Sequence, residues 1–600
     1  MLLPVPRSIR TSGRRVPYPA EGVSESVDRS LPPQGYRIVA GQGGVSVEAP
    51  DDSGFRHARA TVEQLRHRAN SGFGAGSFDP GGRTIPECEI TDWPDHLVRG
   101  VMLDVSRDKV PTVETLEAML ERLASWKINH VELYMEHTFA YDGHEEVWAE
   151  ADPFTASDLA RLDRHCTSLG MELVPNQNTL GHFERWLSHD RYRPLAISPD
   201  GFDWLFGIRR GPSTIEPRNG GSFSLVADLL SQLSAALDKP RFHIGLDEPW
   251  ELDSSRWAEW SGWLERLSGL DPLRGRELLV WGDLPAAHPE LMDRMARLGG
   301  SRKGAATITV CEWGYEANHP FEERASRLSS SGLGFWVCPG TSSWMSISGR
   351  SQNMLENIRG AAHAGASGGA AGFLITDWGD FGHLQYLPVS DPGFAAGACL
   401  SWCSTSHAGL DLDGLATMLD AHAYDDPRCV TGHAVVALGS VHRLVTPQPP
   451  NMSAFVGNIL FPQLPVGKLM TRGLTVTECD HFEEGVSEAV ASLHESRTSR
   501  PDGDLVIREL RAASELLRLA ATDARLRLRG DGCIRSIAAA ERERLAEWCG
   551  AIAENHRELW LARNRMGGLE DSSAWLEHLG SCYASGEAER GWFGTVLNVR

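Results

Sequence analysis

Two adjacent carboxylates, Asp247 and Glu248, close the stretch FHIGLDE (242–248), in which Phe242, Ile244 and Leu246 alternate with His243 and Gly245. The alternation predicts a short buried strand that ends in an acidic pair. Two carboxyls in one site can divide the work, one moving a proton and the other holding geometry or offsetting charge. The stretch also fits a helix N-terminus with acidic residues in its first turn, so by itself it leaves both readings open. In a strand, neighbouring side chains point to opposite faces. Asp247 and Glu248 are therefore expected to touch different parts of one substrate rather than to straddle one bond. The same alternation argues against a metal held by His243, Asp247 and Glu248, because three ligands at that spacing do not share a face. No metal and no cofactor is expected.

The elements around the pair suggest what positions it. From Arg99 onward, apolar runs of five to seven residues alternate with helical patterns, as in a parallel α/β sheet. Eight strands are expected, at 100–106, 130–135, 171–177, 242–248, 277–283, 307–313, 334–340 and 372–378. Between them Leu116, Met119, Leu120 and Leu123 share one helical face, as do Val226, Leu229, Leu230, Leu233 and Leu237. Eight such units predict a closed (β/α)8 TIM barrel over 96–404. Polar and aromatic residues gather at the strand ends (Asp104, Glu136, Asn176, Asp247, Trp281, Trp313, Asp377), which marks the face where barrels place their sites. Residues 1–95 read as a small N-terminal α/β domain without evident chemistry, and 405–600 as a helical C-terminal domain whose helices could pair two copies of the chain. The connection from Gly181 to Ser222 is too long for an ordinary barrel loop and is expected to fold over the site or to carry a partner contact.

Composition bounds the partners. Lys and Arg number 58 against 80 Asp and Glu, a net charge of -22, which opposes nucleic acid and anionic membranes and suits a neutral substrate. Eleven cysteines lack paired spacing and several sit in apolar runs, so they are expected as reduced core thiols. Pro4 and Pro6 interrupt the N-terminal segment where a signal peptide needs an unbroken apolar run, and the expectation is a cytoplasmic protein.

Several motifs in order, RGVMLDVSR (99–107), PNQNTLGH (175–182), HIGLDE (243–248), VWGD (280–283) and DWGD (377–380), resemble the glycoside hydrolase family 20 β-N-acetylhexosaminidases. The resemblance covers roughly residues 95–400, and the N-terminal domain is similar to the non-catalytic domain that often precedes that barrel. The helical C-terminal third is not part of the common family pattern. The resemblance implies an exo-acting, retaining hydrolase that removes terminal β-linked N-acetylhexosamine with the substrate's own acetamido oxygen as nucleophile. It makes Glu248 the acid/base and Asp247 the group that holds the acetamido N–H. His182 takes the place of a histidine supporting the acid, Tyr315 that of a tyrosine donating to the acetamido oxygen, and Arg99 that of an arginine on sugar hydroxyls. Asp380 is implied for the outer hydroxyls, while Glu136, His243 and the strand-end tryptophans Trp281, Trp313, Trp344 and Trp378 complete the candidate substrate contacts.

Each assignment has a plainer counterpart: a salt bridge to Asp104 for Arg99, a backbone-bonded loop histidine for His182, core packing for each tryptophan. The sequence departs from the family where LYMEHTFAY lacks the usual aspartate, where Leu246 stands in a more usual Gly-Gly, and in the spacing after the sixth strand. Two alternatives stay open, a sugar-binding barrel without turnover and a glycosidase of this fold acting on a different sugar.

Overall fold

The computed structural model describes residues 2–19, 22–70, 84–204, 209–299 and 306–588. Five strands form the N-terminal sheet, β1 (Ser8–Pro17), β2 (Ser24–Val27), β3 (Tyr36–Gly41), β4 (Gly44–Ala49) and β5 (Thr84–Asp92), in the order β1-β5-β3-β4-β2. Ile38, Ala40, Val45, Val47 and Ile90 alternate into one face and bury against Ala58, Val62 and Leu65 of the helix Asp52–Asn70.

The barrel follows. Its strands are β6 (Val98–Asp104), β7 (His130–Met135), β8 (Glu172–Gln177), β11 (Arg241–His243), β12 (Glu277–Trp281), β13 (Thr307–Trp313), β14 (Gly334–Cys338) and β15 (Gly372–Asp377), all parallel and closed by pairing of β15 with β6. The pair β9 (Phe202–Asp203) and β10 (Arg209–Arg210) is a small hairpin in the long connection after β8. Alternation along the strands divides the side chains into two sets. Val101, Leu103, Val131, Leu133, Leu278 and Val280 face the surrounding helices. Met102, Tyr134, Leu279, Trp281, Cys311, Trp336 and Leu374 fill the barrel. In the same interior Glu132 accepts from His130 Nε2 (2.8 Å), His243 Nδ1 (2.7 Å) and Asn176 Nδ2 (2.8 Å).

One expected strand, 242–248, falls well short of its pattern. The strand ends at His243; Ile244 N–H still donates to the Leu279 carbonyl and Trp281 N–H to the Gly245 carbonyl (both 2.9 Å), and then Gly245 (φ 69°), Leu246 (φ 73°) and Glu248 (φ 43°) adopt left-handed backbone that no strand accommodates. Neither the extended strand end nor the helix start describes the acidic pair, which sits in a turn. The extended backbone that would point Asp247 and Glu248 to opposite faces is absent, and the turn sets where each carboxylate goes.

Past the last barrel helix, Asp391–Trp402, the chain is helical, with Val476–Val490, Gly503–Leu528, Ala539–Leu561 and Leu569–Ser585 the longest members. They pack on the barrel through polar ties as well as apolar ones: Thr112 N–H donates to the Arg563 carbonyl (2.9 Å), and Arg185 bridges both Asp108 of the barrel and Asp571 of the last helix at 2.8 Å. None of the eleven cysteines forms a disulfide, and nine are buried. Among the described residues no helix is long and apolar enough to cross a membrane.

Candidate active site

Two loops at the C-terminal end of the barrel interlock to build the site. Asn178, just past β8, donates from Nδ2 to Asp247 Oδ1 (2.6 Å), and Thr179 Oγ1 donates to the Ile244 carbonyl (2.6 Å). The loops approach so closely that a Cβ on Gly245 would lie 2.6 Å from Asn178 Oδ1, and one on Gly181 would lie 2.5 Å from the Asp247 carbonyl. Gly245 also carries a positive φ, so glycine meets both demands there.

The turn brings both carboxylates to one imidazole. His182 Nε2 lies 3.3 Å from Asp247 Oδ2 and 3.5 Å from Glu248 Oε2, within ion-pair range but outside good hydrogen-bond geometry. On the other side of the ring Arg107 Nη2 approaches Nδ1 at 3.2 Å, and Glu136 Oε1 stands 3.8 Å away. Burial works against a charged ring, yet Asp247 foremost, with Glu248, holds the His182 pKa well above its ordinary value. An Nδ1 that accepts from Arg107 belongs to the neutral ring, so guanidinium and carboxylates oppose each other here; two carboxylates against one cation set the direction upward. Burial likewise opposes ionised Asp247, but His182 and the amide of Asn178 lower its pKa.

Arg107, rather than Arg99, is the arginine of the site. It sits 3.3 Å from Asp104 Oδ2 and 3.2 Å from Glu136 Oε1, and stacks 4.7 Å over Tyr134 and 5.0 Å over Trp378. Arg99 lies at the other end of β6. It is buried against the N-terminal domain, donating to the carbonyls of Lys127 (2.9 Å) and His96 (2.7 Å) and to Gln34 Oε1 (3.0 Å), with its guanidinium 4.9 Å over Trp402. Its partner is not Asp104 either. Strand polarity decides the matter, since residue 99 enters the barrel where 107 leaves it. His243 also stays out of reach, tied to Glu132 and covered by Trp281 with ring centroids 4.3 Å apart.

An inner pocket of 140 Å³ opens beside these groups, lined by Arg107, Asp247, Trp281, Trp313, Tyr315 and Trp378 among others. Trp313 stacks on Tyr315 at 5.2 Å, Trp344 meets Tyr315 edge-on at 5.0 Å, and Trp378 Nε1 donates to the Tyr315 hydroxyl (2.7 Å). Burial pushes the Tyr315 phenol well up, so it keeps its proton. Outside lies a vestibule of 350 Å³ whose walls include Glu136, Glu184, Arg185, Trp204 and Trp250 from the barrel loops and Trp575 from the helix Leu569–Ser585. Five residues border both spaces: Arg107, His182, Glu248, Asp380 and Asn451. Asp247 borders the inner pocket alone. The long connection after β8 thus supplies part of the vestibule wall.

Of the residues expected from sequence, Glu248, Asp247, His182, Tyr315, Trp281, Trp313, Trp344, Trp378 and Asp380 line the inner pocket and Glu136 the vestibule, whereas Arg99 and His243 line neither. Sequence reasoning missed Arg107, Asn178, Asn451 and Asp283. Arg107 and Asp283 stand at the C-terminal ends of quoted motifs, where a signal was present; Asn451 comes from the helical third and carries none. Asp283 Oδ2 accepts the backbone N–H of Glu248 at 3.1 Å, which fixes the turn behind the carboxylate. Burial, with Asp247 adding to it, lifts Asp283 to about 7; burial lifts Asp380 to about 7 against the pull of Arg107. No cluster of metal-ligating side chains occurs among the described residues.

Comparison with known proteins agrees with this architecture. Residues 5–93 match the family model "Glycosyl hydrolase family 20, domain 2". A β-N-acetylhexosaminidase of Cellulomonas fimi is 25% identical over 276 residues, 42% of this chain and 53% of the relative, and hexosaminidase D of Bos taurus is 23% identical over 324 residues, 50% of this chain and 90% of the relative. The chain thus spans about half the length of the Cellulomonas protein. In structure, an exo-β-N-acetylglucosaminidase of Vibrio harveyi superposes with a TM-score of 0.54 at 16% identity, covering 72% of this chain and 78% of that one. A Streptomyces plicatus β-hexosaminidase holding N-acetylglucosamine as product superposes with a TM-score of 0.52 at 18% identity, covering 70% and 95%. At such identities the superpositions speak for the shared fold.

Proposed function

The chain being β-N-acetylhexosaminidase-like, with the sequence and fold features of glycoside hydrolase family 20, we propose that it removes a terminal β-linked N-acetylhexosamine from a glycan or glycoconjugate by substrate-assisted hydrolysis with retention. One observation carries the division of labour. Both carboxylates meet His182, yet Glu248 borders the inner pocket and the vestibule while Asp247 borders only the inner pocket. A sugar in the inner pocket leaves its aglycone in the vestibule, so Glu248 is the carboxyl that reaches the glycosidic oxygen. Asp247, 6% exposed and held by Asn178, faces the sugar's interior side.

In the first step the acetamido carbonyl oxygen bonds to the anomeric carbon, the bond to the aglycone oxygen breaks, and that oxygen takes the Glu248 proton. Asp247 accepts from the acetamido N–H and offsets the positive charge that grows on the cyclised group. Tyr315, protonated at the pocket wall, can donate to the acetamido oxygen, and the tryptophans cover the methyl and the apolar sugar faces. In the second step water gives a proton to the Glu248 carboxylate and its oxygen bonds to the anomeric carbon, releasing the acetamido group with net retention.

Two conservative variants test the reading. Glu248→Gln should lose about 10²–10⁴-fold in kcat on substrates with poor leaving groups and much less in the first step with an activated aryl leaving group. Asp247→Asn should lower kcat for both classes alike. Equal leaving-group dependence in the two variants would overturn these roles.

A further inference from the structure

Asn451 is the one residue of the ring between pocket and vestibule that comes from the C-terminal helical region, on a strap rich in proline, TPQPPN (446–451). The strap is tied at both ends. Thr446 N–H donates to Glu478 Oε1 (2.8 Å), Gln448 Nε2 to the carbonyls of His442 and Val445 (both 2.8 Å), and Ser453 N–H to the Met345 carbonyl (2.8 Å). Asn451 itself is clamped to the barrel. Its N–H donates to Glu316 Oε1 (2.7 Å), a carboxylate that Arg350 grips through two bonds of 2.9 and 3.1 Å, and its backbone takes a φ of 58° that asparagine tolerates well.

The side-chain amide is oriented by chemistry. Trp344 Nε1, which can only donate, lies 3.1 Å from Oδ1, so the carbonyl end of the amide faces the tryptophan. Nδ2 must then face away, and it bonds no other group among the described residues. We propose that Asn451 is a specificity residue of the sugar site: Nδ2 donates to a hydroxyl of the N-acetylhexosamine in the inner pocket, so the C-terminal helical region completes a site that the barrel begins. The same wall carries the carboxyls of Asp380 and Glu248 and the guanidinium of Arg107, which donates. A polyol seated there meets donors and acceptors in turn. The inference rests on the proposed function in one respect, that the inner pocket holds an N-acetylhexosamine.

The test uses the full chain and three proteins: wild type, Asn451→Ala and Asn451→Asp. Binding of N-acetylglucosamine and of its thiazoline is measured by calorimetry, KM and kcat on 4-nitrophenyl N-acetyl-β-glucosaminide by release of nitrophenol, and folding by thermal melting. Asn451→Ala should weaken sugar binding roughly 3- to 10-fold, as loss of one hydrogen bond does, mostly in KM. Asn451→Asp keeps the acceptor for Trp344 but replaces the donor with a carboxylate in a pocket wall that already holds Asp380 and Glu248, and should bind more weakly still. If Asn451→Asp matched wild type while Asn451→Ala did not, Asn451 would act only through Trp344 and the proposal would be overturned. Wild-type affinity in both variants would overturn it as well. If wild type itself bound neither sugar, the proposed function would fail, an outcome separate from a failure confined to the variants.

Discussion

Replacing Arg107 with methionine keeps an unbranched apolar stem over Tyr134 and Trp378 but removes the cation from a site crowded with carboxylates. The guanidinium lies 3.3 Å from Asp104, 3.2 Å from Glu136 and 3.2 Å from His182 Nδ1, and it is the first group that opposes the rise of the Asp380 carboxyl to about 7. Removing one partner from a buried charge pair costs ~3–5 kcal/mol, which stability and transition-state binding share. At ~1.4 kcal/mol per tenfold, an upper bound on the loss in kcat/KM is roughly 4 × 10³-fold, less what stability absorbs. The expectation is therefore a loss of about 10²- to 10³-fold on 4-nitrophenyl N-acetyl-β-glucosaminide, together with a lower melting temperature. The assay is steady-state kinetics on protein shown to be folded at the assay temperature. A folded Arg107→Met protein within threefold of wild type would refute the placement of Arg107 in the sugar site.

Arg99→Met is the matching control: it breaks the buried ties to Lys127, His96 and Gln34, so melting temperature should fall while kcat/KM of the folded protein stays within about twofold, as for a residue that touches no substrate. Activity lost without stability lost would return Arg99 to the site. A second expectation concerns pH. Asp283 and Asp380 have folded-state pKa values raised to about 7, so the native chain binds more protons than the unfolded one between the ordinary carboxylate range and 7. Their contribution to stability is full at acidic pH and is lost as pH rises through about 7; Asp247, lowered, works in the opposite sense at acidic pH. Asp283→Asn, which can still accept the Glu248 N–H, should flatten the decline of melting temperature between about pH 4 and 7, the window between the unfolded and folded values of that carboxyl. An unchanged slope would contradict the assignment.

The barrel was legible because buried parallel strands leave apolar runs and amphipathic helices between them, a pattern that survives without any contact information. The aromatic wall was legible for a related reason, that Trp281, Trp313 and Trp378 each stand at or just past a strand's C-terminal end. Errors arose where backbone geometry overrode the pattern. The run 242–248 alternates like a strand, yet Gly245 and Leu246 turn left-handed and swing Asp247 and Glu248 together onto His182. Arg99 and Arg107 share one motif, and only the direction of β6 tells which end faces the site. Asn451 was not legible at all, because a strap from the helical third reaches the barrel mouth through tertiary packing that no local spacing encodes.

The central claim is that the sugar's own acetamido oxygen is the nucleophile, and a series of aryl glycosides tests it most directly. In 4-nitrophenyl β-glucosaminides bearing acetyl, fluoroacetyl, difluoroacetyl and trifluoroacetyl groups, each fluorine draws electron density from the carbonyl oxygen while changing its size little. With Asp247 holding the N–H and the oxygen attacking the anomeric carbon, kcat/KM should fall steeply and steadily along the series. Rates that stay flat from acetyl to trifluoroacetyl would mean that a carboxylate of the protein attacks instead, and would contradict the account.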